Sequence, residues 1–505
     1  MKNQVHLIAY PNRLGGSALE DLGKVLAGPF EGLFAGVHIL PFFLPVDGAD
    51  AGFDPIDHRT VDPQVGTWQD IQALGKRIDI TADLIVNHIS AESPQFEDFL
   101  QRGDASPYGE IFLTYHDVFP QGATEQELAK IYRPRPGLPF TKLLVEGTPR
   151  LLWTTFTGEQ VDINVNSGAG WKYLQSIMDV FAKHGVRTVR LDAVGYARKK
   201  QGTSCFMIPE TYEFIQKLSR EARSRGMEVL VEIHSHYQSQ IAIAKQVDRV
   251  YDFALPPLIL HAIYRGTSQY LKRWLEVSPR NAVTVLDTHD GIGVIDVGPE
   301  IVDGVYVDGI LPESEIHELV ETIHQRSHGE SLKATGASAS NLDLYQVNCT
   351  FYDALGGSDG DYLLARALQF FAPGIPQVYY VGMLAGHNDV ALLEKTGVGR
   401  DINRHAFSEA EVLRQMQLPV VKGLCRLIRF RNSHPAFKGE FRILDSRSDS
   451  ALRIRWSAEA KWAELDVDFQ ARTFRITYSE AGENSVLDSS TIMDPRASNG
   501  KEFPT

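Results

Sequence analysis

A (β/α)8 barrel with two inserted domains and a C-terminal antiparallel β domain is the fold this sequence predicts. Three observations predict it. Eight short runs rich in Val, Ile and Leu recur between Val5 and Val381. Helical periodicities separate several of them. After about residue 437 the pattern changes to short alternating strands.

The eight runs are Val5–Tyr10, Gly36–Phe43, Ala82–His88, Thr188–Val194, Met227–His234, Val247–Leu255, Ala282–Asp290 and Pro376–Val381. Near-continuous apolar character is the signature of a strand buried on both faces. The clearest intervening helix is Pro209–Gly226, where Tyr212, Ile215, Leu218 and Ala222 recur at helical spacing and Gly226 supplies the stop. Strands alternating with helices give a parallel barrel or a doubly wound open sheet. No dinucleotide-type GxGxxG follows the first strand, which favours the barrel.

Two segments are too long for plain βα connections. The first, 89–165, is rich in proline and aromatic residues and contains Tyr132–Gly137. The second is 291–356. The barrel is therefore expected in three pieces, 1–88, 166–290 and 357–436. A small β domain, 437–505, follows, with strands Phe441–Leu444, Ala451–Trp456, Trp462–Val467 and Thr473–Tyr478 and a polar, frayed tail Ser485–Thr505.

Composition narrows the function. The 505 residues hold 50 Lys plus Arg against 64 Asp plus Glu, a net charge of −14. That sign opposes binding to nucleic acid or an anionic membrane, and any anion site must be built locally. Cys205, Cys349 and Cys425 are odd in number and widely spaced, with no CxxC, which argues against a disulfide framework or a structural zinc. The start, Met1–Tyr10, lacks the length and cleavage site of a signal peptide, and no run of ~18 apolar residues occurs. A cytoplasmic protein is expected.

In a barrel, function sits where the strands end at their C-terminal side. Arg190 and Asp192 alternate with Val189, Leu191 and Ala193 on the fourth run. Taken alone they fit a buried structural ion pair. Glu232 and His234 close the fifth run, where a carboxylate can simply cap the next helix. Asp290, before Gly291, fits turn chemistry, and His88 fits a hydrogen-bonded structural histidine. Together they read differently. Asp192, Glu232 and Asp290 converge with Arg190, His88 and His289 at one barrel mouth. Retaining glycosidases need a nucleophile and an acid/base carboxyl ~5 Å apart, about the separation adjacent strands supply.

The elements Asp83-x-x-x-Asn87-His88, Arg190-x-Asp192, Glu232 and His289-Asp290, in this order, resemble those of the α-amylase family, glycoside hydrolase family thirteen. Over nearly the whole length the chain is most similar to its sucrose phosphorylase branch. The stretches His38–Phe43, Asp47–His58, Tyr132–Phe140, Arg190–Tyr196, Val285–Gly293, Ser340–Gln346 and Gly399–Arg404 carry that resemblance.

The resemblance implies phosphorolysis of sucrose to α-D-glucose 1-phosphate and fructose, with transglucosylation as a side reaction. Asp192 is then the nucleophile, kept ionised by Arg190. Glu232 is the acid/base, and Asp290 stabilises the transition state. His88 and His289 bind sugar hydroxyls. Asp50 and Arg400 clamp the far end of glucose, between walls formed by Phe53 and Phe156. Tyr196 shapes the acceptor side, and His234 binds substrate. Leu342, Asp343 and Gln346 hold fructose, alternating with a state in which Arg135, Leu344 and Tyr345 admit phosphate. Prolines flank Arg135 and stiffen its loop. Without the resemblance, Arg133 and Arg135 read as surface charges.

No cofactor is implied, and no metal. Asn87 matches a calcium-binding position of some amylases, but its companion ligands are not evident. The rivals are a sister phosphorylase acting on sucrose 6′-phosphate or a glucosyl-glycerol compound, and a non-catalytic barrel used as a binding module. Pro134, Asp343 and Gln346 favour unphosphorylated fructose, and all three carboxylates are present, which speaks against the module. The oligomeric state, a homodimer included, is left open by the sequence.

Overall fold

A computed structural model describes residues 1–493, except 49, 134, 303–304, 336–345, 447 and 481–482. Eight parallel strands close on themselves in chain order: β1 (His6–Ala9), β2 (Gly36–Ile39), β3 (Asp79–Ile85), β4 (Thr188–Asp192), β5 (Glu228–Val231), β6 (Arg249–Asp252), β7 (Ala282–Thr284) and β8 (Ile375–Tyr379). Each falls on one of the eight apolar runs. The runs are longer than the ladders for a physical reason. After β7 the chain leaves the barrel, yet Val285 and Leu286 stay buried under the segments that follow, so the hydrophobic signal outlasts the hydrogen bonds. After β2, Phe43–Leu44 switches to antiparallel pairing with Asp57–Val61.

Register fixes which side chains meet inside the barrel. Arg190 lies opposite Asp83 of β3 and Leu230 of β5. The helix Pro209–Ser224 buries Phe214, Ile215, Leu218 and Ala222 against this wall, and Gly226 takes φ +77° in the turn back to β5.

Two excursions supply the mouth of the barrel. Between β3 and β4 the chain forms a helix, Pro94–Arg102, and a hairpin of Phe140–Val145 with Thr148–Trp153. It returns through Gln160–Asp162, which pairs antiparallel with His88–Ser90. After β7, Ile292–Gly293 pairs with Gln346–Val347, so this excursion starts and ends at one place.

The C-terminal sheet is antiparallel: β9 (Glu440–Leu444), β10 (Ala451–Ala458), β11 (Lys461–Asp468), β12 (Thr473–Glu480) and β13 (Glu483–Asp488). Leu452, Ile454 and Trp456 of β10 turn inward at period two. The Trp456 indole donates to the Phe371 carbonyl at 2.8 Å and ties the sheet to the helix Asp359–Phe371. The expectation of a frayed tail from Ser485 is corrected here. Glu483–Asp488 is the edge strand, and Ile492 is fully buried, its carbonyl accepting from Arg426 at 2.6 Å. An edge strand that buries little beyond Leu487 shows almost no alternation in sequence. Residues 494–505 lie outside the described residues.

No helix among the described residues is long and apolar enough to cross a membrane. Cys205, Cys349 and Cys425 are buried and unbridged.

Beneath the mouth, Arg366 is fully buried and pairs with Asp287 at 2.6 Å, with Tyr362 and Gln369 completing its donors. Removing one partner of such a pair leaves an uncompensated buried charge, a loss of about 3–5 kcal/mol. Arg366→Met is expected to lower the thermal midpoint accordingly, and adding Asp287→Asn to recover part of it. Additive losses would show that the two are uncoupled.

Candidate active site

Inward-facing positions of β4 carry Arg190 and Asp192 to the barrel axis. The Arg190 guanidinium is almost completely buried and serves three carboxylates. Its Nη1 lies 2.5 Å from Asp83 and 2.9 Å from Asp192, and its Nη2 lies 2.8 Å from Glu232. The Phe53 ring lies 5.7 Å and the Tyr251 ring 5.9 Å from its centre. The second oxygen of Asp83 meets His38 Nε2 at 2.8 Å. Burial opposes the charge on Asp83, but His38 and Arg190 outweigh it and hold this carboxyl down at about 2. The structural ion pair and the functional cluster are thus one object. Asp83 anchors the guanidinium from below, and Asp192 and Glu232 share its upper side.

Ala193, after Asp192, takes the left-handed conformation, φ 53° and ψ 22°, and turns the chain off the strand. Its amide faces Glu232 Oε2 at 3.5 Å. Arg190 favours the ionised form of Asp192, as expected, but it does not act on Asp192 alone. Burial and the charge of Glu232 push the Asp192 carboxyl well above the ordinary range, against the pull of Arg190. One guanidinium divided among three carboxylates cannot neutralise all of them.

Asp290 faces them from the end of the β7 connection. Arg400 Nη1 lies 3.0 Å from Asp290 and 3.8 Å from Asp50. Burial opposes the Asp290 charge, but Arg400, followed by His289, His234 and Arg190, holds its carboxyl below the usual range. Asn403 donates to the Thr288 carbonyl at 2.9 Å and Arg404 to the His289 carbonyl at 3.1 Å, which fixes the turn. His289 stacks on Phe53, ring centres 4.7 Å apart, and burial keeps its imidazole neutral. His88 donates from Nε2 to the Phe53 carbonyl at 2.9 Å, with Phe156 edge-on at 5.2 Å.

Most of these residues line one cavity, open at its mouth. Asp50, Phe53, His88, Arg135, Phe156, Asp192, Tyr196, Glu232, His234, His289, Asp290, Gln346 and Arg400 all line it. Arg190 lies under the floor. Leu342, Asp343, Leu344 and Tyr345, and also Pro134, lie outside the described residues. The two loop arginines separate. Arg133 donates to the carbonyls of Thr155 at 2.8 Å, Phe156 at 3.0 Å, Pro136 at 2.9 Å and Leu138 at 2.7 Å, so it fastens the loop. Arg135 faces the cavity.

Sequence reasoning missed several residues. Tyr132 and Phe206 build the rim with Tyr196. The Phe206 ring is 4.7 Å from each of the two tyrosines. Asp83 stood in the third run without a role, although its register with Arg190 assigns one. Asp296 and Ile295 come from the second excursion and carried no signal. Asn87 accepts from the buried Lys199 ammonium at 2.7 Å, and Lys199 also pairs with Asp162. The position noted for calcium is thus served by the protein's own cation. Glu232, His234 and Asp290 bring ligand-type atoms within 4.8 Å of one another, but Arg190 and Arg400 already engage the two carboxylates.

The family description "Alpha amylase, catalytic domain" matches residues 33–263. A sucrose phosphorylase of Agrobacterium vitis is 58% identical over 480 residues, covering 95% of this chain and 98% of the relative. A second, from Bifidobacterium adolescentis, is 54% identical, covering 92% of each. The chain belongs to the sucrose phosphorylase family. A solved family structure, the sucrose 6F-phosphate phosphorylase of Thermoanaerobacter thermosaccharolyticum, superposes with a TM-score of 0.88 at 40% identity, covering 96% of this chain and 98% of that one.

A raised carboxyl in the folded state makes the folded protein bind more protons than the unfolded one. Stability is then lost as pH rises from the ordinary carboxyl value through the raised one. Asp192→Asn removes this penalty. The variant should melt higher than the parent at pH 7.5, by roughly 1 °C for each kcal/mol recovered in a chain of this size. The gap should close toward pH 4. Calorimetry across that range checks it, and a lower midpoint for the variant at pH 7.5 would contradict the electrostatic account.

Proposed function

We propose that this protein is a sucrose phosphorylase working by retaining double displacement. The observation that carries the reading is the Arg190 cluster, which holds Asp192 and Glu232 at neighbouring strand ends on a single guanidinium. The productive form has Asp192 ionised and the proton on Glu232. A carboxylate oxygen of Asp192 attacks the anomeric carbon of the glucosyl unit. The bond to fructose breaks as Glu232 gives its proton to the departing oxygen. Once Asp192 is esterified its charge is gone, and Glu232 becomes a base. Phosphate then attacks the same carbon, passes its proton to Glu232 and displaces Asp192. Two inversions return α-D-glucose 1-phosphate.

Asp290 and its neighbours suit the charge that develops on the sugar. Arg400 between Asp290 and Asp50 closes the far end of the cavity, so a single sugar ring fits. Arg135 supplies positive charge to the phosphate in a chain whose net charge is −14. Leu342, Asp343, Leu344 and Tyr345 keep their proposed roles toward fructose and phosphate. Three buried, unbridged cysteines suit a cytoplasmic setting.

Phosphate-dependent release of glucose 1-phosphate from sucrose, sucrose 6′-phosphate and glucosylglycerol, assayed side by side, tests the reading. Sucrose is expected to be turned over best, with only the α anomer in the initial NMR spectrum. A preference for a phosphorylated donor, or a β product, would reject it.

Arg135→Ala separates phosphate from water. A charge-assisted hydrogen bond is worth about 1.5–3 kcal/mol, roughly ten- to a hundred-fold in affinity. The KM for phosphate should rise by about that factor, and glucose release by water should change far less. Equal falls in both would make Arg135 a structural residue.

A further inference from the structure

His234 is held in an unusual way for a residue lining a sugar pocket. Its Nδ1 lies 3.1 Å from Asp296 Oδ2. Asp296 is fully buried, and its other oxygen accepts from the Ser235 amide at 3.2 Å and from Gln240 at 2.8 Å. An ionised carboxylate only accepts, so the Nδ1 proton is fixed and the ring cannot turn. Phe253 stacks on the ring at 3.9 Å and locks its plane. The other nitrogen, Nε2, is buried, has no hydrogen-bond partner among the described residues, and stands 4.0 Å from Glu232. A nitrogen beside Glu232, on a side chain that lines the cavity and with its opposite side pinned to a carboxylate, is placed to hold a proton toward an incoming group.

Resting on the phosphorylase reading above, we propose that Asp296 is a positioning residue that presents His234 as a second cation to phosphate, alongside Arg135. The charged groups facing His234 are Asp296, Glu232 and Asp290, and all three are acidic. Burial works against the imidazolium. Asp296 first, then Glu232 and Asp290, outweigh it and raise the ring above its ordinary value. The charge is therefore present through that ordinary value and is lost as pH rises through the raised one. A phosphate dianion gains from this charge and water does not, so the pair favours phosphorolysis over hydrolysis. Asp296 itself touches no reacting atom.

Asp296→Asn tests this, because the amide keeps the shape and removes the carboxylate. The ratio of variant to parent KM for inorganic phosphate, measured from pH 6 to 8.5 with sucrose as donor, should be about tenfold at the acidic end. It should narrow as the parent loses its proton. The ionisation of phosphate is common to both enzymes and cancels in the ratio. Glucose release by water should change far less. Gln240→Leu, which removes another partner of Asp296, should keep the parent's profile. A ratio that does not vary with pH, or equal losses in both reactions, overturns the proposal. If Asp296→Asn does not fold, NMR of histidine-labelled parent enzyme decides, with His234→Asn giving the assignment. The His234 signal should titrate above about 6.5 and shift when inorganic phosphate is added. Titration below that value, or no response to phosphate, overturns it. A parent enzyme that releases no glucose 1-phosphate from sucrose would instead defeat the functional reading.

Discussion

A single buried guanidinium organises this molecule. Arg190 sits inside the barrel, where an unpaired charge is prohibitively unstable, and it is tolerated because Asp83, Asp192 and Glu232 surround it. The same arrangement leaves the carboxylates in excess. Asp83 is pinned by His38 as well and stays charged. Asp192 and Glu232 share the rest of the guanidinium. The site is thus less stable than an apolar barrel interior would be, and its chemistry comes from that imbalance.

The second constraint is where the surrounding groups come from. A parallel barrel places strand ends in a ring but gives no walls. The walls come from the excursions after β3 and β7. The first brings Phe156 and the loop fastened by Arg133, and it locks back onto the barrel where Gln160–Asp162 pairs with His88–Ser90. Lys199, bonded to Asn87 and Asp162, ties this pairing to the connection that follows the nucleophile. The second excursion brings Asp296 behind His234 and returns at Gln346. The cavity lining is therefore drawn from the strand ends and from both excursions together.

The family's members share the fold and differ in the name of their donor, as the 40% identical sucrose 6F-phosphate phosphorylase illustrates. In this chain of net charge −14 the sequence pointed to Arg135 as the cation for an anion site. The structure adds an imidazole beside the cavity whose Nδ1 is held by a carboxylate 62 positions away.

The sequence by itself determined the barrel, because a strand buried on both faces must be apolar throughout and eight such runs are legible without any partner. It also placed Asp192, Glu232 and Asp290 at the ends of such runs, where their joint occurrence, and no one of them alone, pointed to a site. Four of the five C-terminal strands were legible in sequence, and β13 was not, since its residues before Leu487 are polar or exposed and show no alternation. The proton distribution was decided only in three dimensions. That Arg190 would be divided among three acids depends on the register of β3, β4 and β5, which no local pattern encodes. Asp296 was invisible for the same reason. An aspartate on a loop reads as turn chemistry until folding buries it against His234, and only burial turns a polar residue into one that controls its neighbour's charge.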